Sequence, residues 1–293
     1  MTMSEQPEKE SAAQRLLIKI MRDTLPQVKD KYPFIYLERG RLEIDDSSIK
    51  WIDCDSNVVR LPVAMLNCLL LGPGTTVTHE AVKVMAASNC GLCWVGEDSL
   101  IFYAAGQTPT SDTRNFRRQL LLSADPDKSL KVAVRMFTRR FPGEKLQNKT
   151  LQQLMGMEGL RVRQLYEKKA IEYKVGWKGR QFTPGKFEMG DVTNRILTSA
   201  NAALYGIICS AVHSMGYSPH IGFIHSGSPL PFIYDMADLY KEELSIDLAF
   251  SLTAVMAGTY DRHKTATEFR RRVIDTDLLA SIGPDIEEML GRP

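Results

Sequence analysis

Apolar positions change their period once along this chain. Between residues 34 and 105 they come in short runs. The segments 34–38, 41–44, 58–63, 91–95 and 100–104 are rich in β-branched and aromatic residues, and Gly40, Asp45, Asp46 and the polar stretches 53–57 and 96–98 separate them. Such runs predict strands. One helix is predicted among them, capped by Thr78 and running through Ala81, Val84 and Met85. Closely spaced strands without regular alternation with helices point to a sandwich or compact all-β unit. Beyond residue 113 the spacing becomes helical. Phe116, Leu120 and Leu121 share a face, as do Leu130, Val134, Phe137 and Phe141. Leu165, Ile171 and Tyr173 follow, then Ile196, Ala200, Leu204, Ile207, Ile208 and Ala211; further helices are predicted at 233–243, 247–256, 266–274 and 286–290.

The expected class is therefore α+β. An N-terminal β-sandwich-like domain (26–106) is joined by a polar hinge (107–113, QTPTSDT) to a C-terminal all-α domain (114–293). Ahead of them, residues 1–11 are too polar to bury and read as a disordered tail. Residues 11–25 predict an extra helix with Leu16, Leu17, Ile20 and Met21 on one face, stopped by Pro26. No internal repeat is detected.

Composition narrows the class. The chain has 293 residues, 44% hydrophobic and 25% charged, the balance of a soluble globular protein rather than a coiled coil, collagen or disordered chain. The longest nearly apolar stretch, 201–217, is interrupted by Ser210, His213 and Ser214 and falls short of a membrane span. Glu5, Glu8 and Glu10 exclude a secretory signal from the first ten residues, so a cytoplasmic protein is expected. Five cysteines show no framework spacing; Cys90 and Cys93 form a lone CxxC inside an apolar strand, which reads as core rather than as half a zinc site.

Charge is distributed unevenly. The net +2 hides a segment, 107–186, with 18 basic and 7 acidic side chains, between flanks that are net acidic. A local excess of +11 suggests a polyanion surface, and nucleic acid is the commonest such partner. A solvated helical face would also be basic, but the acidic residues there are too few to pair most of those charges.

Neither GxxxxGK[ST], GxGxxG nor GxSxG occurs, so nucleotide hydrolysis and esterase chemistry find no support. The unusual stretch is 219–241. His225 stands where an apolar run breaks into a Ser-Gly-Ser-Pro turn, and Asp235 and Asp238 follow on one helix face among Phe232, Ile233, Met236 and Leu239. Two carboxylates in apolar company need a cation or hydrogen bonds. A divalent metal held by imidazole and carboxylates would explain them; so would a turn histidine with a capping or salt-bridged aspartate. Glu158 is a third carboxylate among apolar residues, with Arg161 at i+3 able to share its face and Arg163 nearby. It reads either as a helix ion pair or as a metal ligand beside arginines that hold a phosphodiester.

These segments in this order, GMEGLRVR (156–163), GDVTNRIL (190–197), ALYG (203–206) and GFIHSGSPLPFIYDMADL (222–239), resemble the CRISPR-associated integrase/endonuclease family of the spacer-acquisition complex, most like its type I-E branch. IYLERGRLEI (35–44), LGPGTTVTHEAV (71–82) and WVGEDSLIFYAAGQ (94–107) extend the resemblance into the N-terminal half. It implies a β-sandwich hinged to a helical catalytic domain, and a homodimer that, in two copies, clamps a small central partner protein of the adaptation complex. The implied activity inserts double-stranded protospacer DNA at a CRISPR repeat by 3′-OH transesterification. The implied ligands for Mg²⁺ or Mn²⁺ are Glu158, His225 and Asp238, with Asp235 in or beside the site. Tyr205 matches a tyrosine near the active centre, and Arg163 and Lys241 match basic positions near DNA, to which the residue reading adds Arg161. Transesterification at phosphorus suits these residue types and needs no Ser or Cys nucleophile. The chain departs from type I-E relatives at Ser228, Ile101 and Met155, where basic residues are found in some of them. Two other readings stand beside this one: a related integrase serving a mobile element or DNA repair, and a structural DNA-binding subunit whose metal site is unused.

Overall fold

The computed structural model describes residues 31–45, 48–96, 102–106, 113–146, 148–181, 187–256 and 258–291. The expected tail and helix over 1–25, most of the hinge, and Ile101 lie outside them. Eight strands occupy the N-terminal part: β1 (Tyr32–Leu37), β2 (Gly40–Asp45), β3 (Ser48–Asp53), β4 (Val58–Leu61), β5 (Leu66–Leu71), β6 (Thr75–Val77), β7 (Gly91–Val95) and β8 (Phe102–Gly106). Helix α1 (His79–Ala87) interrupts them, and the Thr78 hydroxyl accepts from the Ala81 N–H as its spacing predicts.

The strands form two four-stranded sheets, ordered β1-β5-β7-β8 and β4-β3-β2-β6. In the first, β1, β5 and β7 run parallel and β8 closes antiparallel. The period-2 rule assigns its two faces. Leu69, Leu71 and Leu92 point into a core shared with Leu42, Ile49 and Trp51 of the second sheet and Met85 of α1. Cys68, Leu70, Cys93 and Val95, on the opposite face, belong to the core of the helical region. The sandwich is thus bordered by a third layer. Sheet one lies in the middle, which is why β5 (LNCLLL) is buried at every position. Cys90 and Cys93 are free thiols inside these cores, as the core reading expects.

The helical region comprises α2 (Arg114–Ser123), α3 (Pro126–Arg140), α4 (Leu151–Glu172), α5 (Val192–Ser214), α6 (Pro231–Ala237), α7 (Asp247–Val255), α8 (Arg262–Asp275) and α9 (Leu278–Leu290). Helix α5 is its axis. Asp191 caps it, and Ile196, Leu197, Ala200, Leu204, Ile207, Ile208, Ala211 and Val212 are all buried. It is long and apolar enough to cross a membrane, but its surface is covered by protein, as for a core helix. Its sheet-facing side is built for close approach. A Cβ on Gly91 would stand 2.2 Å from the Ser210 Oγ and 2.8 Å from its Cβ, and Ser210 donates to the Asn67 carbonyl at 2.7 Å. At the far end Arg262 of α8 grips Glu38 through both carboxylate oxygens.

Two of the helix ends that differ from expectation have a local reason. Phe141 falls outside α3, as its cap with φ −130°, because the residue before a proline avoids helical geometry. The helix expected over 233–243 stops at Ala237; a π-helical turn, Glu242–Ile246, then leads into α7. Asp238 is left at the break, and π-turns of this kind recur at functional sites.

Gly91→Val is expected to lower stability by about 1–3 kcal/mol, because the added atoms meet a packed helix. Urea denaturation of the two proteins measures it. An unchanged midpoint would mean that sheet and α5 are not in contact at this point.

Candidate active site

Four elements meet below the C-terminal end of α3. Helix α4, opened by a reciprocal Thr150–Gln153 capping box, carries Glu158 two turns in. The loop 222–225 carries His225. Helix α6, started by Pro231, carries Asp235, and Asp238 caps its end. The last residue of α3 is Arg140.

Asp235 has no exposed surface. Its carboxylate accepts from three successive backbone N–H groups, Phe223 (2.6 Å), Ile224 (3.1 Å) and His225 (3.0 Å). It also receives the His225 Nδ1 at 2.8 Å. Gly222 permits this wrap, since a Cβ there would lie 2.6 Å from the Pro231 Cβ and 3.0 Å from the Asp235 Oδ2. The carboxylate that looked expensive in the sequence is therefore compensated by hydrogen bonds within the fold. That contact raises His225 above its ordinary pKa; burial opposes the shift and Asp238 adds to it. With Nδ1 committed, the ring turns Nε2 toward the Asp238 Oδ2, 3.7 Å away. The expected sharing of one face by Asp235 and Asp238 holds: both reach the same imidazole.

Asp238 is compensated by cations instead. Lys241 lies 2.6 Å from its Oδ1 and Arg140 3.5 Å from its Oδ2. Burial works against the Asp238 charge, but Lys241 and Arg140 outweigh it and hold the carboxyl below the usual range. The same contact holds the Lys241 ammonium above the ordinary lysine range despite its burial. Lys241 also sits over the Tyr205 ring, 5.1 Å from its centre, and Tyr205 packs edge-on to Tyr234 at 5.0 Å.

Glu158 is paired with Arg140. The expected i+3 partnership with Arg161 does not form, because Arg161 turns away to Glu144 and Arg163 donates to the Gly159 carbonyl. Arg140 thus lies between Glu158 and Asp238. Among the described residues no three His, Cys, Asp or Glu side chains are disposed to hold a metal ion. Glu158, His225, Asp235, Asp238, Tyr205 and Lys241 are brought together, and Arg161 and Arg163 lie on the same helix as Glu158 with other partners. Met155 is exposed on α4 and Ser228 follows His225 in the turn. The residue that sequence reading missed is Arg140. Its contact with Glu158 spans 18 positions between two helices, so no spacing rule reports it.

Residues 143–268 match the family model described as CRISPR associated protein Cas1. A relative from Chlorobaculum tepidum, CRISPR-associated endonuclease Cas1 2, is 77% identical over 95% of this chain and 94% of its own. CRISPR-associated endonuclease Cas1 of Clostridium sp. is 36% identical over 91% and 89%. A crystal structure of TtCas1 with DNA covers 92% of this chain and 100% of its own, with TM-score 0.67 and 36% identity. On likeness of that extent in both sequence and fold, the chain belongs to the Cas1 family of CRISPR-associated proteins.

Proposed function

We propose that this chain is a metal-dependent DNA endonuclease and integrase that joins protospacer 3′-OH ends to a CRISPR repeat by transesterification. The observation that carries the reading is the convergence of Glu158, Asp238 and the Nε2 side of His225 on a place now filled by a guanidinium. A site that already holds a cation between two carboxylates has the charge for a divalent one. The donor set, carboxylate oxygens and one imidazole, suits Mg²⁺ or Mn²⁺. The relatives named as endonucleases and the DNA complex of TtCas1 support the substrate class.

In this reading Glu158, His225 and Asp238 hold the ion, which when bound favours the attacking alkoxide and neutralises charge on phosphorus. Asp235 is a positioning residue: it keeps the proton on Nδ1 and the lone pair on Nε2. Lys241 stands beside Asp238 over Tyr205 and offers a cation to an incoming phosphate. Arg161, Arg163 and the rest of the basic segment contact phosphates without reading bases. One P–O bond forms as another breaks, so no covalent protein intermediate is needed. The reading includes a homodimer and the small adaptation partner, with the β domain (26–106) as their contact surface. Val58 and Val59 on edge strand β4 are exposed apolar positions available for it.

A second reading, a DNA-binding subunit with an unused site, draws on the finding that, among the described residues, no three ligands are already in place. A strand-transfer assay separates the two. Purified chain and partner are given a short duplex with free 3′-OH ends and a repeat-bearing plasmid, with Mn²⁺, Mg²⁺ or chelator. Joining should require metal and fall at least a hundredfold in His225→Ala. DNA binding without joining under every metal would favour the second reading.

Asp235→Asn should cut metal affinity at least about ten- to hundredfold, as for other groups that orient a ligand; Mn²⁺ titration measures it. Undiminished affinity would remove Asp235 from that role. A third expectation concerns pH. A raised His225 pKa keeps the ring protonated to higher pH, and the protonated ring has no lone pair for a cation. At sub-saturating metal, joining should therefore decline as pH falls, beginning above the ordinary 6.5. Activity flat down to about pH 5 would count against His225 as a ligand.

A further inference from the structure

We infer that Arg140 is a resident counter-cation that holds Glu158 and Asp238 together and must be displaced for a divalent ion to bind. The inference rests on the reading of Glu158, His225 and Asp238 as the ligand set, and concerns how that set is kept before loading.

The Arg140 side chain is only 9% exposed. Its Nη2 donates to Glu158, and its Nη1 lies 3.5 Å from the Asp238 Oδ2. Nη1 is fully buried yet makes no hydrogen bond. A guanidinium built as a permanent structural tie uses its fork in paired hydrogen bonds. Arg262 does so with Glu38, where both terminal nitrogens meet both oxygens. Arg140 instead spans two acids, bonded to one and merely attracted to the other.

Charge counting points the same way. Lys241 is committed to the Asp238 Oδ1, so Arg140 is the cation left to balance Glu158. The four groups sum to zero. A divalent ion added among them would leave the cluster at +2 with the guanidinium still between the two ligands. Like charges at such separations repel strongly in a partly buried site, and Glu158 cannot turn to a metal while its oxygen holds Arg140. The guanidinium has a contact that does not depend on the two acids: it lies against Phe137 and Phe141, 5.8 and 5.3 Å from their ring centres. Phe141 also carries Arg161, itself paired with Glu144, at 4.7 Å, so these rings accept guanidinium groups. Arg140 would therefore set a metal threshold, leaving the nuclease centre closed when divalent ion is scarce.

The test reads metal affinity, not activity. Mn²⁺ is titrated into the purified chain and the free ion followed by its paramagnetic resonance signal, for wild type, Arg140→Gln, His225→Ala and the double variant. Removing the competitor should tighten Mn²⁺ binding in Arg140→Gln by about ten- to hundredfold, the range of one charge-assisted hydrogen bond. The gain should vanish in Arg140→Gln/His225→Ala, which places the ion in this site. If wild type binds Mn²⁺ through His225 but Arg140→Gln binds it equally or less tightly, the counter-cation role is overturned and the metal site stands. If neither protein binds, both fall. A second measurement depends on no variant folding: a crystal structure of wild type with Mn²⁺. The guanidinium should have left Glu158 there; an ion bound with Arg140 still on both carboxylates would overturn the inference.

Discussion

A carboxylate with no contact with solvent sets the geometry of this site. Asp235 lies in the last turn of α6 and gathers three consecutive N–H groups from a loop ten residues upstream. A carboxylate is tolerated there because both of its oxygens accept hydrogen bonds from the loop. The loop conformation and the imidazole orientation are consequences of satisfying it. Gly222 and Pro231 follow from the same demand, one by removing a Cβ and the other by fixing the helix start. Losing any of these contacts would leave a buried charge short of partners, so the loop and α6 act as one piece.

Asp238 and Glu158 are handled in the opposite manner. They are met by cationic side chains rather than by backbone. Backbone N–H groups do not leave, whereas lysine and arginine do. The site thus combines a half held by backbone, Asp235 with His225, and a half held by side chains, where Lys241 and Arg140 stand in front of the two carboxylates. That division suits a centre that takes up and releases charged ligands. The backbone-held half fixes one direction, and the other half adapts around whatever cation is present.

Sequence patterning made much of this visible. His225, Asp235 and Asp238 lie within fourteen positions and betray themselves as polar groups in apolar company. Glu158 shows the same mismatch, but its partner did not follow from helical spacing, because Arg140 arrives from another helix. Strand β5 escaped notice for a related reason. Buried on both faces, LNCLLL has no alternation to read. Helix α9 was recognised only from 286 onward, although it begins at Leu278 and carries Pro284 inside; a proline in a helical pattern argues for a boundary that packing here overrides. What sequence lacked in each case was the identity of the opposing surface.

That opposing surface is mainly α5. It takes sheet one on one side and α7 and α8 on another, and Tyr205 on it supports Lys241. The sheet therefore helps to place this helix. Gly91 and Ser210 in contact, and Asn67 bonded to both Ser210 and the Ile207 carbonyl, set the depth at which α5 sits. Arg262 and Glu38 add an ion pair between α8 and the strand region. The strand layers and the charged groups of the site share this helix as their physical connection.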